Sequence, residues 1–131
     1  MALSADLPIY KSTYEYMRTA IKYHKNFPRD MKHSIGQIWL TKISELPTFI
    51  LHANMFKEER ERWLSEFICN FEYCKMVIRL AGDEQWISHK QQAHLIYLEE
   101  GIGKQVTAWK NSNRKHRKRL RLKSRESEDE E

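Results

Sequence analysis

Apolar residues recur at intervals of three and four along most of the chain, which is the spacing of one face of an α-helix. Four such stretches are separated by short segments that contain proline, glycine or charged residues. We predict helices over residues 7–27, 28–54, 57–81 and 88–109. Amphipathic helices of this kind, joined by short loops, favour an all-α fold, an up-down-up-down four-helix bundle.

The periodicity also predicts which side chains fill the core, because each helix presents one apolar face. In the first helix this face comprises Leu7, Tyr10, Tyr14, Met17, Ile21 and His24. In the second it comprises Ile35, Trp39, Ile43, Leu46, Ile50 and Ala53. In the third it comprises Trp63, Phe67, Phe71, Cys74, Ile78 and Ala81, and in the fourth Leu95, Leu98, Ile102, Val106 and Trp109.

The first helix carries a second, largely aromatic stripe that a bundle core does not need. The stripe comprises Ile9, Thr13, Tyr16, Ala20, Tyr23 and Phe27. An apolar face that remains after the core is formed is typical of a contact between protein subunits. We therefore predict an oligomer whose subunit interface includes Ile9, Tyr16, Tyr23 and Phe27.

Proline, glycine and capping residues predict where the helices begin and end. Pro28 disfavours the α conformation at the residue before it, so it ends the first helix and opens the second. Pro47 lies inside the second helix and predicts a kink there. Gly82 is a natural end for the third helix, and Ser88 with Gln91 makes a capping box at the start of the fourth.

Positive charge is concentrated in one segment near the end of the sequence. The formal net charge is +5, yet residues 1–109 are almost neutral, with 14 Lys/Arg against 13 Asp/Glu. Residues 110–125 hold nine Lys/Arg and no acidic residue, and residues 126–131 then hold five acidic residues. Because a run of like charges repels itself, we predict a bundle domain over residues 1–113 and a flexible tail, basic then acidic, over residues 114–131.

Two sets of basic side chains are candidates for binding a polyanion. One set follows an edge of the first helix and the segment after it: Lys11, Arg18, Lys22, Lys25, Arg29 and Lys32. The other set lies in the basic segment: Arg114, Lys115, Arg117, Lys118, Arg119 and Arg121. Such side chains neutralise the phosphates of RNA or DNA, and this binding is sensitive to salt and tolerant of sequence. The alternatives for the basic segment are a solubilising tail or attachment to an anionic membrane, although it lacks the large apolar side chains of an interfacial helix.

The sequence contains no pattern typical of a metal, cofactor or catalytic site. Its six histidines and two cysteines show neither HxxxH, HExxH nor CxxC spacing. Glu99 and Glu100 fall at positions that the periodicity places on the solvent side, with no second carboxylate placed for acid–base chemistry. We therefore expect a protein without metal or cofactor.

Three further features favour a cytoplasmic protein. No stretch approaches the roughly 18 uninterrupted apolar residues of a membrane span. The first residues lack the basic and apolar regions of a secretion signal. Cys69 and Cys74 point in different directions on one predicted helix, which favours free thiols.

One pair of residues favours an enzyme instead. Arg18 and His24 lie in the first helix, and helical nucleases of the HEPN type carry an arginine and a histidine at a similar spacing. In those proteins a polar Asn, Asp or His usually follows the arginine and the motif lies late in the chain, whereas Thr19 follows here. A small HEPN-like ribonuclease is therefore the alternative function.

A series of short motifs runs through the predicted bundle in a specific order. They are Leu7-Pro8-Ile9-Tyr10-Lys11, Thr13-Tyr14, Asn26-Phe27-Pro28-Arg29, Ser34-Ile35-Gly36, Ile78-Arg79-Leu80-Ala81, Ile87-Ser88, Gly101-Ile102-Gly103 and Trp109-Lys110. Their order and spacing, over about residues 7–115, closely resemble the accessory variability determinant proteins of diversity-generating retroelements.

This resemblance implies a four-helix protomer that assembles into a ring-like homopentamer with a basic surface, on which Arg79 joins the cations of the first helix. It implies a non-catalytic subunit that binds a reverse transcriptase, its template RNA and the cDNA. In that role it supports mutagenic retrohoming, in which the enzyme copies the RNA with errors at adenines. Bundles encoded within intervening sequences of ribosomal RNA share the fold, and an RNA-binding protein of that type is a further alternative.

Overall fold

The structure is a computed structural model that describes the backbone of residues 3–130 and the side chains of residues 3–128. The described residues do not include Met1, Ala2 and Glu131. The first two belong to the segment predicted to lack a secretion signal, and the last belongs to the predicted acidic end. Within the described residues there is no strand, and single 3-10 turns precede α1 and α4. The α-helices there are α1 (Pro8–His24), α2 (Arg29–Lys32), α3 (Ile35–Met55), α4 (Arg60–Asp83) and α5 (His89–Glu130).

The four long helices form the predicted up-down-up-down bundle, in which neighbours along the chain are antiparallel. α1 packs against α3 and α5, and α4 packs against α3 and α5, whereas the diagonal pairs make few contacts. Hydrogen bonds between the helices fix their relative heights: Ser4 with Asn54, Ser12 with Gln105, Lys42 with Asn70, and Ile78 with Gln92. We call the two ends of the bundle the Ser4 end, where α1 and α4 start, and the Ser88 end, where α5 starts.

The predicted core faces of α3, α4 and α5 are confirmed. Most of their residues are fully buried and belong to one continuous apolar cluster. Ile35, Trp63, Leu98 and Trp109 are half-buried and pack against the same cluster.

The predicted core face of the first helix is only partly right, because the other stripe enters the core. Leu7, Tyr10 and Met17 of the predicted face are half-buried and pack against the apolar cluster from its edge. Ile9, Tyr16 and Phe27 are buried, whereas Tyr14 and Ile21 are 50% and 49% exposed. Small side chains on the buried stripe allow α1 to approach its neighbours closely, and aromatic residues there find ring partners. The ring of Phe27 stacks on that of Trp39, with centroids 5.1 Å apart and planes 3° from parallel.

The predicted subunit interface is wrong for the same reason. Ile9, Tyr16 and Phe27 are covered by their own chain and have no surface left for a neighbour. Tyr23 is half-buried, and its hydroxyl lies 2.8 Å from Nδ1 of His94 on α5. The exposed apolar side of α1 is instead the face that contains Tyr14 and Ile21.

The predicted second helix is divided into α2 and α3 by a break at Ser34. The backbone of Ser34 has φ −122° and ψ −99°, and its hydroxyl donates a hydrogen bond of 2.7 Å to the carbonyl oxygen of Asp30. A serine hydroxyl bonded to nearby backbone competes with helical hydrogen bonding. The break lets α2 lie across the end of α1. The contact there is close, because a side chain at Gly36 would collide with the His24 ring. α3 then continues through Pro47 without interruption.

α4 ends beyond Gly82, where the sequence predicts its end. Gln85 adopts φ 59°, and its N–H donates to the carbonyl oxygen of Gly82 over 3.1 Å. The N–H of Trp86 donates to the carbonyl oxygen of Ala81 over 2.8 Å, which completes a Schellman motif with Gln85 in the left-handed position. A side chain at Gly82 would displace the amide group of Gln92, which donates a hydrogen bond to the carbonyl oxygen of Ile78.

α5 extends far beyond the bundle. It begins at the predicted capping box, in which the Gln91 N–H donates to Ser88 Oγ over 3.1 Å and the Ser88 N–H donates to Gln91 Oε1 over 3.0 Å. It then continues through residues 114–130, where the sequence predicts a flexible tail. These residues contain neither proline nor glycine and are rich in good helix formers. The 42 residues of α5 span about 63 Å at the α-helical rise.

Candidate nucleic-acid interface

The basic edge of α1 is interrupted by an acidic side chain. Lys11, Arg18, Lys22 and Lys25 are all exposed, as predicted for a basic edge. Glu15 lies between the first two, and Arg18 Nη1 is 3.5 Å from Glu15 Oε2. Lys11 lines a shallow groove that Glu15 also lines. Lys22 and Lys25 are therefore the cations of α1 that face solvent without a nearby acid on the same edge.

The end of α1, α2 and the end of α4 bring further cations to the Ser88 end. Arg79 belongs to this end because the carbonyl oxygen of the residue before it, Ile78, accepts a hydrogen bond from Gln92 near the start of α5. Arg29 and Arg79 are exposed, and Lys32 is half-buried. We define the α2 surface by the cations of this end: Lys22, Lys25, Arg29, Lys32 and Arg79.

The basic part of α5 is anchored to the bundle by one carboxylate. Arg114 Nε donates to Glu61 Oε1 over 2.9 Å, and Arg117 Nη1 donates to Glu61 Oε2 over 3.3 Å. The hydrogen bond from Arg114 lowers the pKa of Glu61 below its ordinary value. No sequence pattern identifies Glu61, because its partners lie further along the chain, at separations of 53 and 56 residues.

The remaining cations of this segment point to solvent. They are exposed and make no ion pair with any side chain that the structure describes: Lys115, Lys118, Arg119 and Arg121. We define the α5 surface by the basic side chains of residues 114–121. Its charge is therefore available to a polyanion.

The two sets of cations lie at opposite ends of the bundle. Gln92 is level with Ile78, and Arg114 is level with Glu61. The intervening 22 residues of α5 span about 33 Å. The two sets of basic side chains therefore form two separate surfaces.

The residues of the alternative nuclease motif do not come together. Arg18 is directed to Glu15, whereas His24 is half-buried against Phe27 and Trp39, with ring centroids 5.6 and 6.5 Å away. His24 Nε2 also lies 3.2 Å from the carbonyl oxygen of Lys32. The two side chains leave α1 about 120° apart, given the helical rotation per residue. His24 therefore holds α2 against the bundle.

One acidic residue that the sequence places on the solvent side is buried. The exposed fraction of Glu99 is 6%, and its Oε2 accepts a hydrogen bond of 2.7 Å from the hydroxyl of Tyr16. Burial raises the pKa of Glu99 to about 7. Burial, with a smaller effect from Glu99, raises the pKa of the neighbouring Cys74 thiol to about 12. This cluster contains no accessible nucleophile, and its hydrogen bond joins α1 to α5.

The described part of the chain holds neither a cluster of metal ligands nor a membrane-spanning helix. Among those residues, no group of three or more His, Cys, Asp or Glu side chains is placed to hold a metal ion. Within residues 3–130, no helix combines the length and the apolar character needed to cross a bilayer. Cys69 is exposed and Cys74 buried, and both are free thiols.

Comparison with known proteins supplies the family. No curated protein is detectably similar to this chain in sequence. A family model described as bAvd-like matches residues 7–113, which include α1 to α4 and the part of α5 that packs in the bundle. The match ends where the basic part of α5 begins. Since it covers most of the chain, this protein belongs to the bAvd-like family, as its resemblance to accessory variability determinant proteins predicts.

Proposed function

We propose that this protein is a non-catalytic accessory subunit of the reverse transcriptase of a diversity-generating retroelement. In this role it works in the cytoplasm, where it binds the enzyme, the template RNA and the cDNA and supports mutagenic cDNA synthesis and retrohoming. The observation that carries the proposal is the bAvd-like family match over residues 7–113. The geometry supports a binding role, because the titratable cluster of Tyr16 and Glu99 is buried and the motif of Arg18 and His24 is not assembled.

RNA binding in this proposal is mainly electrostatic and uses the two basic surfaces. The α5 surface projects past the Ser4 end as a helix, so several phosphates of one RNA can lie along it. The α2 surface is about 33 Å away along the bundle and offers a second contact. Binding of this kind weakens steeply as salt rises, because each neutralised phosphate releases a counterion.

Ring assembly in this proposal uses two exposed apolar patches on opposite sides of the protomer. On α1, Tyr14 and Ile21 are 50% and 49% exposed and lie on one face, two helical turns apart. On the α4/α5 side, Met76 and Ile96 are exposed and lie at similar heights. Two different patches suit a heterologous, head-to-tail contact. Such contacts form a ring when the rotation between neighbouring subunits closes after a whole number of copies. The number of five subunits comes from the family resemblance.

The proposal is tested with the reverse transcriptase and template RNA encoded beside this gene. Purified enzyme and RNA are assayed for template-primed cDNA with and without the protein. We expect the protein to co-purify with the enzyme and cDNA yield to fall strongly when the protein is omitted. Full cDNA synthesis without the protein would refute the accessory role.

Charge reversal separates RNA placement from enzyme binding in the same assay. The double substitution Lys22→Glu and Lys25→Glu reverses two of the five charges of the α2 surface without touching the core. We expect reduced cDNA synthesis with helix content unchanged. Lys104→Glu, at an exposed cation in the middle of α5 and outside both surfaces, is the control and should leave cDNA yield near that of the wild type.

A further inference from the structure

A deep groove lies at the Ser4 end, between the start of α4 and the part of α5 that leaves the bundle. Its volume is about 1010 Å³, at the upper end of the roughly 300–1,000 Å³ typical of small-molecule sites. The walls combine the 3-10 turn before α4 with three turns of α5: Lys57, Glu58, Arg60, Ala108, Trp109, Asn111, Ser112, Asn113, Lys115, His116, Arg117, Arg119 and Leu120. The groove is therefore built from two elements that the sequence places about fifty residues apart.

The groove is strongly basic. Lys57, Lys115 and Arg119 line it as cations without an ion pair among the described side chains. Of the lining residues that the structure describes, Glu58 alone is acidic. A group that carries negative charge is therefore the occupant that the groove attracts.

A flat cationic platform forms part of its wall. The guanidinium carbon of Arg60 lies 5.4 Å from the ring centroid of Trp109. Arg60 is held there because its Nε donates a hydrogen bond of 2.7 Å to the carbonyl oxygen of Ala53. Burial lowers the pKa of Arg60 from its ordinary value, but a guanidinium remains charged at neutral pH. Guanidinium and aromatic planes are the surfaces on which unpaired bases stack.

An amide with no partner lies in the same groove. The exposed fraction of Asn113 is 6%, and its Nδ2 is buried without a hydrogen-bond partner among the described residues. Buried amide donors are normally satisfied, and an unsatisfied one costs roughly 1–3 kcal/mol. An occupant with a hydrogen-bond acceptor would remove this cost.

We propose that this groove binds one unstacked nucleotide of a single-stranded RNA or DNA. The base stacks on the platform of Arg60 and Trp109, and Lys115 and Arg119 contact the flanking phosphates. A rotation of the Asn113 side chain turns its buried Nδ2 toward an acceptor on the edge of the base. A duplex keeps its bases stacked and presents no free edge, so the groove distinguishes single strands from duplexes. This inference rests on the proposed nucleic-acid binding and adds a base contact to it.

The substitution Asn113→Leu tests the base contact. It keeps the size of the side chain and removes the amide, so folding stability should stay the same or rise. Affinity for a short unstructured RNA, measured by fluorescence anisotropy, should fall about threefold to tenfold, the effect of one hydrogen bond. Affinity for a duplex of the same sequence should not change. Thr107→Leu, on an exposed position of α5 outside the groove, is the matched control.

Two pairs of charge deletions separate the groove from general electrostatics. Lys115→Ala with Arg119→Ala removes two cations that line the groove, and Lys118→Ala with Arg121→Ala removes two that lie outside it on the same helix. Both double variants lower the net charge equally. We expect the groove pair to lose more single-strand affinity than the outer pair and to lose its preference over the duplex.

The outcomes distinguish this inference from the proposed function. If both pairs weaken RNA binding equally and Asn113→Leu has no effect, electrostatic binding stands and the nucleotide site is overturned. If neither pair changes RNA binding, the binding role of α5 fails and the nucleotide site fails with it. If Asn113→Leu changes the oligomeric state while RNA affinity stays constant, the groove is a protein contact, which also overturns the inference.

Discussion

The hydroxyl of Tyr16 on α1 donates a hydrogen bond of 2.7 Å to the carboxyl group of Glu99 on α5. Both residues are buried, and they are separated by 83 positions in the sequence. The Tyr16 ring also contacts Phe71 edge to face, with centroids 6.1 Å apart. This single contact therefore fixes how α1, α4 and α5 meet in the middle of the bundle.

The pKa of Glu99 makes folding stability depend on pH. Burial raises this pKa from 4.5 to about 7, although Lys75 and the Tyr16 hydrogen bond oppose the rise. Below pH 4 the carboxyl group is protonated in both the folded and the unfolded state, so it contributes no pH dependence to the free energy of unfolding. As the pH rises from about 4.5 to 7, the unfolded state releases the proton before the folded state does, so the free energy of unfolding falls by roughly 3 kcal/mol.

Glu99→Gln should remove this dependence, because the amide oxygen accepts the Tyr16 hydrogen bond and carries no charge. We expect the variant to match the wild type near pH 4 and to be more stable at pH 8, as measured by urea unfolding. Glu100→Gln, at the exposed neighbouring position, should keep the wild-type profile. Identical pH profiles for the wild type and Glu99→Gln would show that Glu99 is ionised in the fold without penalty.

Gln85→Gly should stabilise the protein. Gln85 occupies the left-handed position of the Schellman motif with φ 59°, a conformation that costs a residue with a side chain roughly 1–2 kcal/mol. Glycine adopts it freely but loses more conformational freedom on folding, so we expect a net gain of about 0.5–1 kcal/mol in thermal or urea unfolding. Glu84→Gly, next to it with φ −87°, has no such strain to relieve and should destabilise. A loss of stability in Gln85→Gly would contradict the assigned strain.

Glu61→Gln should strengthen RNA binding. The carboxylate of Glu61 pairs with Arg114 and Arg117 and so competes with phosphate for both guanidinium groups. These partly exposed pairs contribute at most about 1 kcal/mol to stability, so the fold should persist. We expect higher RNA affinity and a steeper salt dependence in anisotropy titrations. Glu66→Gln, an exposed position further along α4, should have little effect, and equal behaviour of the two variants would argue against competition at Glu61.

Ile21→Glu should disrupt the proposed ring. Its side chain is 49% exposed on the apolar face of α1, so the charge is tolerated in a monomer and costly in a subunit contact. Light scattering should show a pentamer for the wild type and smaller species for the variant. Gln37→Glu adds the same charge at an exposed position of α3 and should leave the assembly intact. A wild-type monomer near 15.9 kDa at micromolar concentration would refute the oligomer itself.

Helical periodicity was sufficient for the bundle because α3, α4 and α5 each have one clear apolar face. It was insufficient for α1, where two stripes compete and the one with more aliphatic character lies at the edge of the core, with Tyr14 and Ile21 exposed. The buried stripe is held by Phe27 stacking on Trp39 and by Tyr16 bonding Glu99, and both partners lie elsewhere in the sequence. Periodicity within one helix contains no information about such partners.

The candidate site was predictable in its charges but not in its geometry. Clusters of Lys and Arg identify the cations directly, whereas their distribution between two ends depends on the antiparallel pairing of helices. The Asn113 amide gave no sequence signal, because its burial arises from where α5 passes the start of α4. Self-repulsion of the basic run predicts a flexible tail, whereas intrinsic helix propensity and the Glu61 contacts favour the helix.

The continuous α5 turns the basic segment into a charged rod. Nine cations fall within residues 110–125, about 24 Å of helix, or one for every roughly 2.7 Å along its axis. Duplex DNA carries one phosphate for about every 1.7 Å, so the two linear charge densities are similar in scale. Such a rod gathers its own cloud of small anions, which disperse when a nucleic acid takes their place. Binding of a nucleic acid at this end of the molecule therefore depends on ionic strength through the small ions of both partners.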